Sequence, residues 1–93
     1  SEESTLSFLR RNGTGETLVV ALNFTPVPRP AHRLALPGPG RYEVVFNSDS
    51  EYYGGSNTGG GTFEAETVEA SGRPFSAEIV LPPLGALIIA WRR

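Results

Sequence analysis

The chain has 93 residues, which is enough for one domain that hides roughly two-thirds of the surface of its unfolded form. Ten acidic residues against eight basic ones give a net charge of -2, so no strong positive field is available to attract nucleic acid. Cysteine is absent, which excludes disulfides, zinc–thiolate sites and thiol nucleophiles.

The first two predicted strands form a hairpin. Leu6 and Phe8 alternate in the first strand, and a polar turn separates it from a second apolar run, Thr17 to Phe24. Alternation in that run predicts a core face made of its larger side chains and an outward face with Val19 and Ala21. A strand that is apolar on both faces is typical of a position covered on both sides. The side chains expected to face the core are Leu18, Val20, Leu22 and Phe24.

The middle of the chain predicts a crossing between sheets and then two further strands. Prolines at alternate positions from Pro26 to Pro30 cannot donate to a sheet ladder, so this segment is expected to bridge two sheets. The Pro-Gly repeat from Pro37 to Gly40 predicts a sharp turn between the two strands. The inward faces are expected to hold His32, Leu34 and Leu36 in the first of them and Tyr42, Val44 and Phe46 in the second.

The last third predicts three more strands. Thr62 to Ala70 alternates apolar and acidic residues, as a strand with one solvated face does, although a short helix is also compatible. Pro82 and Pro83 separate the two strands that follow. Their expected inward residues are Ala77, Ile79 and Leu81, then Leu87, Ile89 and Trp91, with Ala86, Ile88 and Ala90 on the opposite face.

Short strands between Gly and Pro turns, without a helical stripe, predict an all-β fold. The expected architecture is an antiparallel two-sheet β-sandwich of Greek-key type with about seven or eight short strands. Two of these strands carry small apolar residues on their outward faces. Either a loop covers that face or the sheet lies against another body.

Residues for catalysis, metal binding or cofactor binding are sparse. The one histidine, His32, lies at the rim of a strand with no nucleophile beside it, and the acidic pairs Asp49 with Glu51 and Glu64 with Glu66 look solvated. The glycine run after Tyr53 lacks the Lys-Ser or Lys-Thr of a phosphate loop. We therefore expect no catalytic residue, no metal and no cofactor, with loose calcium binding by loop oxygens left open. No apolar run is long enough for a membrane helix and no signal peptide is evident, so a cytoplasmic location is expected.

Exposed aromatic residues are the remaining candidates for binding. The long loop from Asn47 to Gly61 contains Tyr52 and Tyr53, and aromatic faces can stack on sugar rings. The flanking glycines permit close backbone approach, which favours contact with a neighbouring domain over a glucan platform. For Trp91, near the end of the last strand, packing within the domain is the preferred interpretation.

Four stretches carry a resemblance to a known family. They are SFLRR from Ser7, LVVALNFTPVPR from Leu18, YEVVFNSDSEYYGGS from Tyr42 and GRPFSAEIVLPPLGALII from Gly72. In this order they resemble the C-terminal all-β domain of bacterial 1,4-α-glucan (glycogen) branching enzymes, within the α-amylase superfamily. The most specific parts are NFTPVPR, the loop with NSD and YGGS, and LPPL before the last strand.

The resemblance implies a larger parent enzyme. Such enzymes cut an α-1,4-glucan chain and reattach it through an α-1,6 bond by a retaining mechanism, and their reacting carboxylates lie in an upstream (β/α)8 barrel. No catalytic residue therefore carries over to this chain. Residues 1–93 are expected to form a single C-terminal domain that packs against the barrel and influences stability and chain-length preference.

Three hypotheses follow for the domain itself. The first is a noncatalytic appendage whose partner is the barrel, the second is a stand-alone module that binds α-glucan, and the third is an immunoglobulin-like domain with a protein partner. The first two share one set of candidate contact residues, namely Asn47, Asp49, Tyr52, Tyr53, Gly54, Gly55 and Trp91.

Overall fold

The computed structural model describes residues 5–11, 13, 15–27, 29–48 and 61–92. Within these ranges seven strands form two antiparallel sheets, which confirms the all-β sandwich class. A five-stranded sheet has the order β1-β2-β7-β4-β5, and β3 pairs with β6 in a two-stranded sheet. The strands are β1 (Thr5–Arg11), β2 (Thr17–Asn23), β3 (Arg29–Leu36), β4 (Arg41–Asn47), β5 (Thr62–Glu64), β6 (Phe75–Leu81) and β7 (Gly85–Arg92).

The segment after β2 connects the two sheets, as the alternate prolines predict. Asn23, at the end of β2, is 2% exposed and holds this crossing in place. Its Nδ2 donates to the carbonyl oxygens of Val27 (2.9 Å) and Pro82 (3.1 Å). Its Oδ1 accepts from the backbone nitrogen (3.0 Å) and the hydroxyl (2.8 Å) of Thr25. Both donors and both acceptor positions of the amide are therefore used.

The core lies between the two sheets. The inward faces predicted for β3, β6 and β7 are confirmed for the aliphatic residues, because Leu36, Leu81 and Ile89 are fully buried there. β3 contributes further through Leu34, β6 through Ala77 and Ile79, and β7 through Leu87. From the remaining strands, the cluster includes Val19, Ala21, Tyr42 and Phe63.

The predicted faces of β2 are wrong. Val19 and Ala21 are 1% and 0% exposed and lie in the core, opposite Ile89 and Leu87 of β7. The larger residues of this strand lie on the other face and are only half buried, and Phe24 beyond its end is 57% exposed. Alternation separates the two faces of a strand but does not say which one the second sheet covers when both are apolar. The misplaced residues on β2 are Leu18, Val20 and Leu22.

The predicted inward face of β4 fails at its end. Tyr42 is buried and Val44 packs against the core, but Phe46 is 49% exposed. The cause is a β-bulge, because Val44 pairs with Ile89 whereas Phe46 pairs with Ile88. The extra residue changes the parity, so that Phe46 emerges on the outer face of the sheet.

The strand predicted over Thr62 to Ala70 is much shorter. β5 ends at Glu64, and Glu66 then exchanges two backbone hydrogen bonds with Ser76 of β6 (2.7 and 3.0 Å). The chain therefore leaves the five-stranded sheet after β5 and contacts the other sheet, which closes one side of the sandwich.

Candidate interaction surface

The structure describes two of the seven residues predicted from the sequence as contact candidates. Asn47 is the last residue of β4 and pairs with Leu87, whereas Trp91 pairs with Tyr42 at the start of β4. The two therefore lie at opposite ends of the β4–β7 pair and do not form one site. The other candidates lie outside the described residues, namely Asp49, Tyr52, Tyr53, Gly54 and Gly55.

Trp91 belongs to an aromatic stack within the domain. Its ring lies 5.8 Å from that of Tyr42 with an interplanar angle of 3°, and the Tyr42 ring lies 5.7 Å from that of Phe63. Its Nε1 donates to the carbonyl oxygen of Pro39 at 3.0 Å. A Cβ added to Gly38 would be 2.6 Å from Trp91 Cζ2, so the turn backbone approaches the indole closely. This geometry uses the indole for packing within the domain.

Ser48 anchors the start of the long loop beside β7. Its backbone nitrogen donates to the carbonyl oxygen of Ala86 (3.0 Å), and the Ala86 nitrogen donates to Ser48 Oγ (2.9 Å). A Cβ on Gly85 would lie 2.5 Å from that Oγ, so glycine is required for this approach. At the other end of the loop, the carbonyl oxygen of Gly61 accepts from the backbone nitrogen of Val44 at 2.9 Å.

An apolar surface extends across the side of the five-stranded sheet that faces away from β3 and β6. Directly paired residues of antiparallel strands share a face, so the register arranges this surface in rows. Leu6, at 50% exposed, begins the first row, and the second row contains Phe8 (38%) and Phe46 (49%). We call the surface the outer face and define it by Leu6, Leu22 and Ala86 in the first row, Phe8, Val20, Ile88 and Phe46 in the second, and Leu18 in the third, where the paired Ala90 is fully buried.

The outer face has a hollow at each end. One lies at its first-row end, where Phe24 and Leu84 (69% exposed) extend the apolar surface beside Leu22 and Ala86. The other lies at the opposite end and is lined by Phe8, Leu18, Val20 and Ile88, with the side chains of Arg10 and Arg11 at its margin.

Charged residues border the outer face at the third-row end. The guanidinium of Arg92 donates to the carboxylate of Glu43 at 3.0 Å and also pairs with Glu16. The third row itself ends in Arg10 on β1 and in Glu43 on β4. An apolar centre with a polar rim is the usual anatomy of a protein–protein interface.

The chemistry of the described residues is otherwise limited. Burial, and secondarily the Arg29 guanidinium, hold the pKa of His32 below its usual value of 6.5. Within residues 5–48 and 61–92, apart from positions 12, 14 and 28, no three His, Asp or Glu side chains are grouped so that they could hold a metal ion. In that same part of the chain, no helix has the length and apolar character needed to cross a membrane.

Sequence reasoning missed much of the outer face. It placed Phe8 among regular hairpin residues and assigned Val20 and Phe46 to the core. The double apolar character of β2 and β7 was nevertheless the correct signal, because it predicted an apolar outward surface and correctly named Ala86 and Ile88 within it. The other residues of the outer face are identified by the register between paired strands and not by the size of their side chains.

The fold and the outer face together define the class of domain to which the chain belongs. The chain is a small two-sheet β-domain whose five-stranded sheet presents an apolar face with a charged margin.

The comparison with protein families gives the particular assignment. The family model described as the C-terminal all-beta domain of alpha amylase matches residues 1–92. The chain belongs to this family of α-amylase C-terminal all-β domains.

Curated relatives agree with the family. A 1,4-alpha-glucan branching enzyme GlgB of Dechloromonas aromatica is 50% identical over 90 residues, which is 96% of this chain and 14% of that protein. The GlgB proteins of Burkholderia vietnamiensis and Nitrosococcus oceani are 46% and 47% identical, each over 96% of this chain and 12% of their own length. The chain thus spans about a seventh to an eighth of the length of the curated relatives that it matches.

Proposed function

We propose that this chain is the noncatalytic C-terminal domain of a cytoplasmic 1,4-α-glucan branching enzyme, and that it packs against the catalytic barrel and stabilises it. The observation that carries the proposal is the outer face, in a domain whose curated relatives are branching enzymes several times longer. The parent enzyme would transfer α-1,4-glucan segments to α-1,6 positions, with its reacting carboxylates in the barrel.

The described residues leave the apolar outer face uncovered. Soluble monomers rarely expose contiguous apolar patches larger than a few hundred Å² unless the patch binds something. The second row alone carries two phenylalanines, Phe8 and Phe46, and each residue is more than a third exposed. If the neighbouring domain covered this surface, the contact would be stabilised by about 25 cal/mol for each Å² of apolar area removed from water.

The loop from Asn47 to Gly61 has a place in the same proposal. Its first residue, Asn47, pairs with Leu87, and the next residue, Ser48, adjoins Ala86 on the outer face. We assign Tyr52 and Tyr53 to contact with the barrel, with Asp49, Gly54 and Gly55 shaping the loop around them. Binding of α-glucan by these residues is the competing assignment. The cysteine-free composition suits the reducing cytoplasm.

A truncation of the parent enzyme tests the proposal. We expect removal of residues 1–93 to lower its thermal unfolding temperature and its resistance to proteolysis, while the 93-residue chain alone has no branching activity. An unchanged unfolding temperature would contradict the stabilising role. Transfer activity in the 93-residue chain would contradict the noncatalytic assignment.

A titration separates barrel contact from glucan binding. Maltoheptaose is added to the 93-residue chain while tyrosine and tryptophan fluorescence are recorded, and no saturable change is expected. The variants Tyr52→Ala and Tyr53→Ala serve as controls. Saturable binding that these changes abolish would support the glucan-binding module instead.

A further inference from the structure

We propose that the outer face is the surface seated on the catalytic part of the same polypeptide, and that Arg10 binds a carboxylate of that part beside an apolar side chain inserted between Phe8 and Ile88. This inference rests on the proposed function and adds the contact surface, its register and the chemistry of its partner.

The second row of the outer face is continuous across the sheet. Neighbouring strands pair one residue each in this row, so the four side chains form one band on one face of the sheet. In spatial order across β1, β2, β7 and β4 they are Phe8, Val20, Ile88 and Phe46. Val20 and Ile88 are half buried at its centre, and the two phenylalanines at its ends are more exposed. A band of this composition resembles the apolar centre of an interface, in which a few large residues supply most of the binding energy.

The charged margin of the outer face differs between its β4 side and its β1 side. On the β4 side, Glu43 is already bound by Arg92. On the β1 side, Arg10 is exposed beside the hollow, and it forms no ion pair with any carboxylate of the described residues. Arg11, its neighbour, contacts the carbonyl oxygen of Gly15 at 3.5 Å. The β1 margin therefore offers a guanidinium, whose complement is a carboxylate of the partner.

The catalytic part of the same polypeptide is the occupant that the relatives favour. The matched region is about a seventh of a relative that is named as a branching enzyme, and the family model describes it as a C-terminal domain, so most of that protein lies outside it. The first described strand, β1, begins at Thr5, next to Leu6 in the first row. Covalent attachment ahead of β1 would hold the catalytic part at a high effective concentration near the outer face, which favours it over a separate protein or a second copy.

Charge insertion in the parent branching enzyme tests the apolar contact. Phe8→Glu is compared with Val68→Glu, because Val68 is 43% exposed but does not belong to the outer face. We expect Phe8→Glu to raise the rate of proteolysis between the domains about tenfold or more, and Val68→Glu to change it less than about twofold. Equal effects of the two changes would overturn the assignment of the outer face.

Zero-length cross-linking tests the carboxylate. The chain has no lysine, so Arg10→Lys introduces a single side-chain amine that a carbodiimide can couple to a carboxylate in contact with it. Peptide mass spectrometry of the parent enzyme is expected to find Lys coupled to an Asp or Glu of the catalytic part. Arg73→Lys, in an exposed turn, is the control and should give no such product, and Arg41→Lys should couple to Glu64, with which Arg41 pairs at 3.7 Å.

The outcomes distinguish this inference from the proposed function. Coupling of the residue-10 amine only within the domain, or to a second copy of the chain, overturns the inference. If truncation destabilises the enzyme while Phe8→Glu behaves like Val68→Glu, the domain stabilises its parent through another surface, and only this inference fails. If truncation has no effect on the enzyme, both the proposed stabilising function and this inference fail.

Discussion

At the scale of single residues, several side chains of this domain act by bonding to the backbone of another segment. The hydroxyl of Tyr42 donates to the carbonyl oxygen of Gly38 (2.7 Å) and accepts from its nitrogen (3.2 Å), which fixes the turn before β4. This arrangement resembles the tyrosine corner of β-sandwiches. Asn23 does the same for the crossing after β2. Such residues hold irregular segments that have no sheet ladder of their own.

The amide of Asn23 gives the first prediction. Asn23→Asp replaces a group that donates to two carbonyl oxygens by one that repels them, at a position that is 2% exposed. We expect a loss of about 3 kcal/mol in the free energy of unfolding, measured by urea denaturation at pH 7. Thr25→Val, which removes one hydroxyl from the same network, should cost about 1 kcal/mol. A smaller loss for Asn23→Asp than for Thr25→Val would contradict this account.

His32 gives a prediction about pH. Its pKa in the folded chain is lowered from 6.5 by burial and by Arg29, so the folded state binds the proton less readily than the unfolded state does. The contribution of His32 to stability is therefore present above about pH 6.5 and is lost as the pH falls below it. Urea midpoints at pH 8 and pH 5.5 should differ more in the original chain than in His32→Gln. An equal difference in both would show that other groups cause the pH dependence.

At the scale of the elements, β2 and β4 show how pairing decides which side chains a strand buries. β2 is apolar on both faces, and its register with β7 buries the smaller set. In β4 the bulge at Val45 reverses the alternation between Val44 and Phe46. β1 lies at the edge of the five-stranded sheet, so both Leu6 and Leu9 (41%) stay exposed although they point to opposite faces.

Two adjacent valines of β2 provide a matched test of this register. Val19 is 1% exposed in the core, whereas Val20 is half buried on the outer face. Val19→Ala should lower the free energy of unfolding of the 93-residue chain by about 2 kcal/mol, because it leaves a cavity between the sheets. Val20→Ala should cost less than about 1 kcal/mol. If chemical denaturation showed a larger loss for Val20→Ala than for Val19→Ala, Val20 rather than Val19 would face the core, as the sequence predicts.

At the scale of the whole molecule, the two sheets are unequal. The two-stranded β3–β6 sheet covers the inner face of a five-stranded sheet, and nothing in the described part of the chain forms a third layer over the outer face. Both faces of the central strands β2 and β7 are apolar, and β3 and β6 cover only one of them. This inequality is the structural basis for the proposed role in a larger enzyme.

The outer face predicts that the isolated 93-residue chain self-associates through its exposed apolar side chains. Replacing Leu6, Phe8 and Phe46 together by threonine keeps residues that suit strands and removes large exposed apolar side chains. We expect weaker self-association in sedimentation experiments and less binding of a hydrophobic dye, with the free energy of unfolding changed by less than about 2 kcal/mol. The control variant replaces Val27 and Val68, which are exposed elsewhere, by threonine. If the control reduces association equally, the outer face is not its cause.

The sequence by itself determined the fold class, the crossing after β2 and the inward residues of β3 and β6, because alternation, proline and turn chemistry are local properties. It also indicated that β7 is apolar on both faces. The tertiary structure alone decided which face of β2 is buried, where β4 shifts its parity and which rows make up the outer face. These features depend on which side the second sheet covers and on pairing between strands that are distant in sequence, and neither is encoded in the alternation of a single strand.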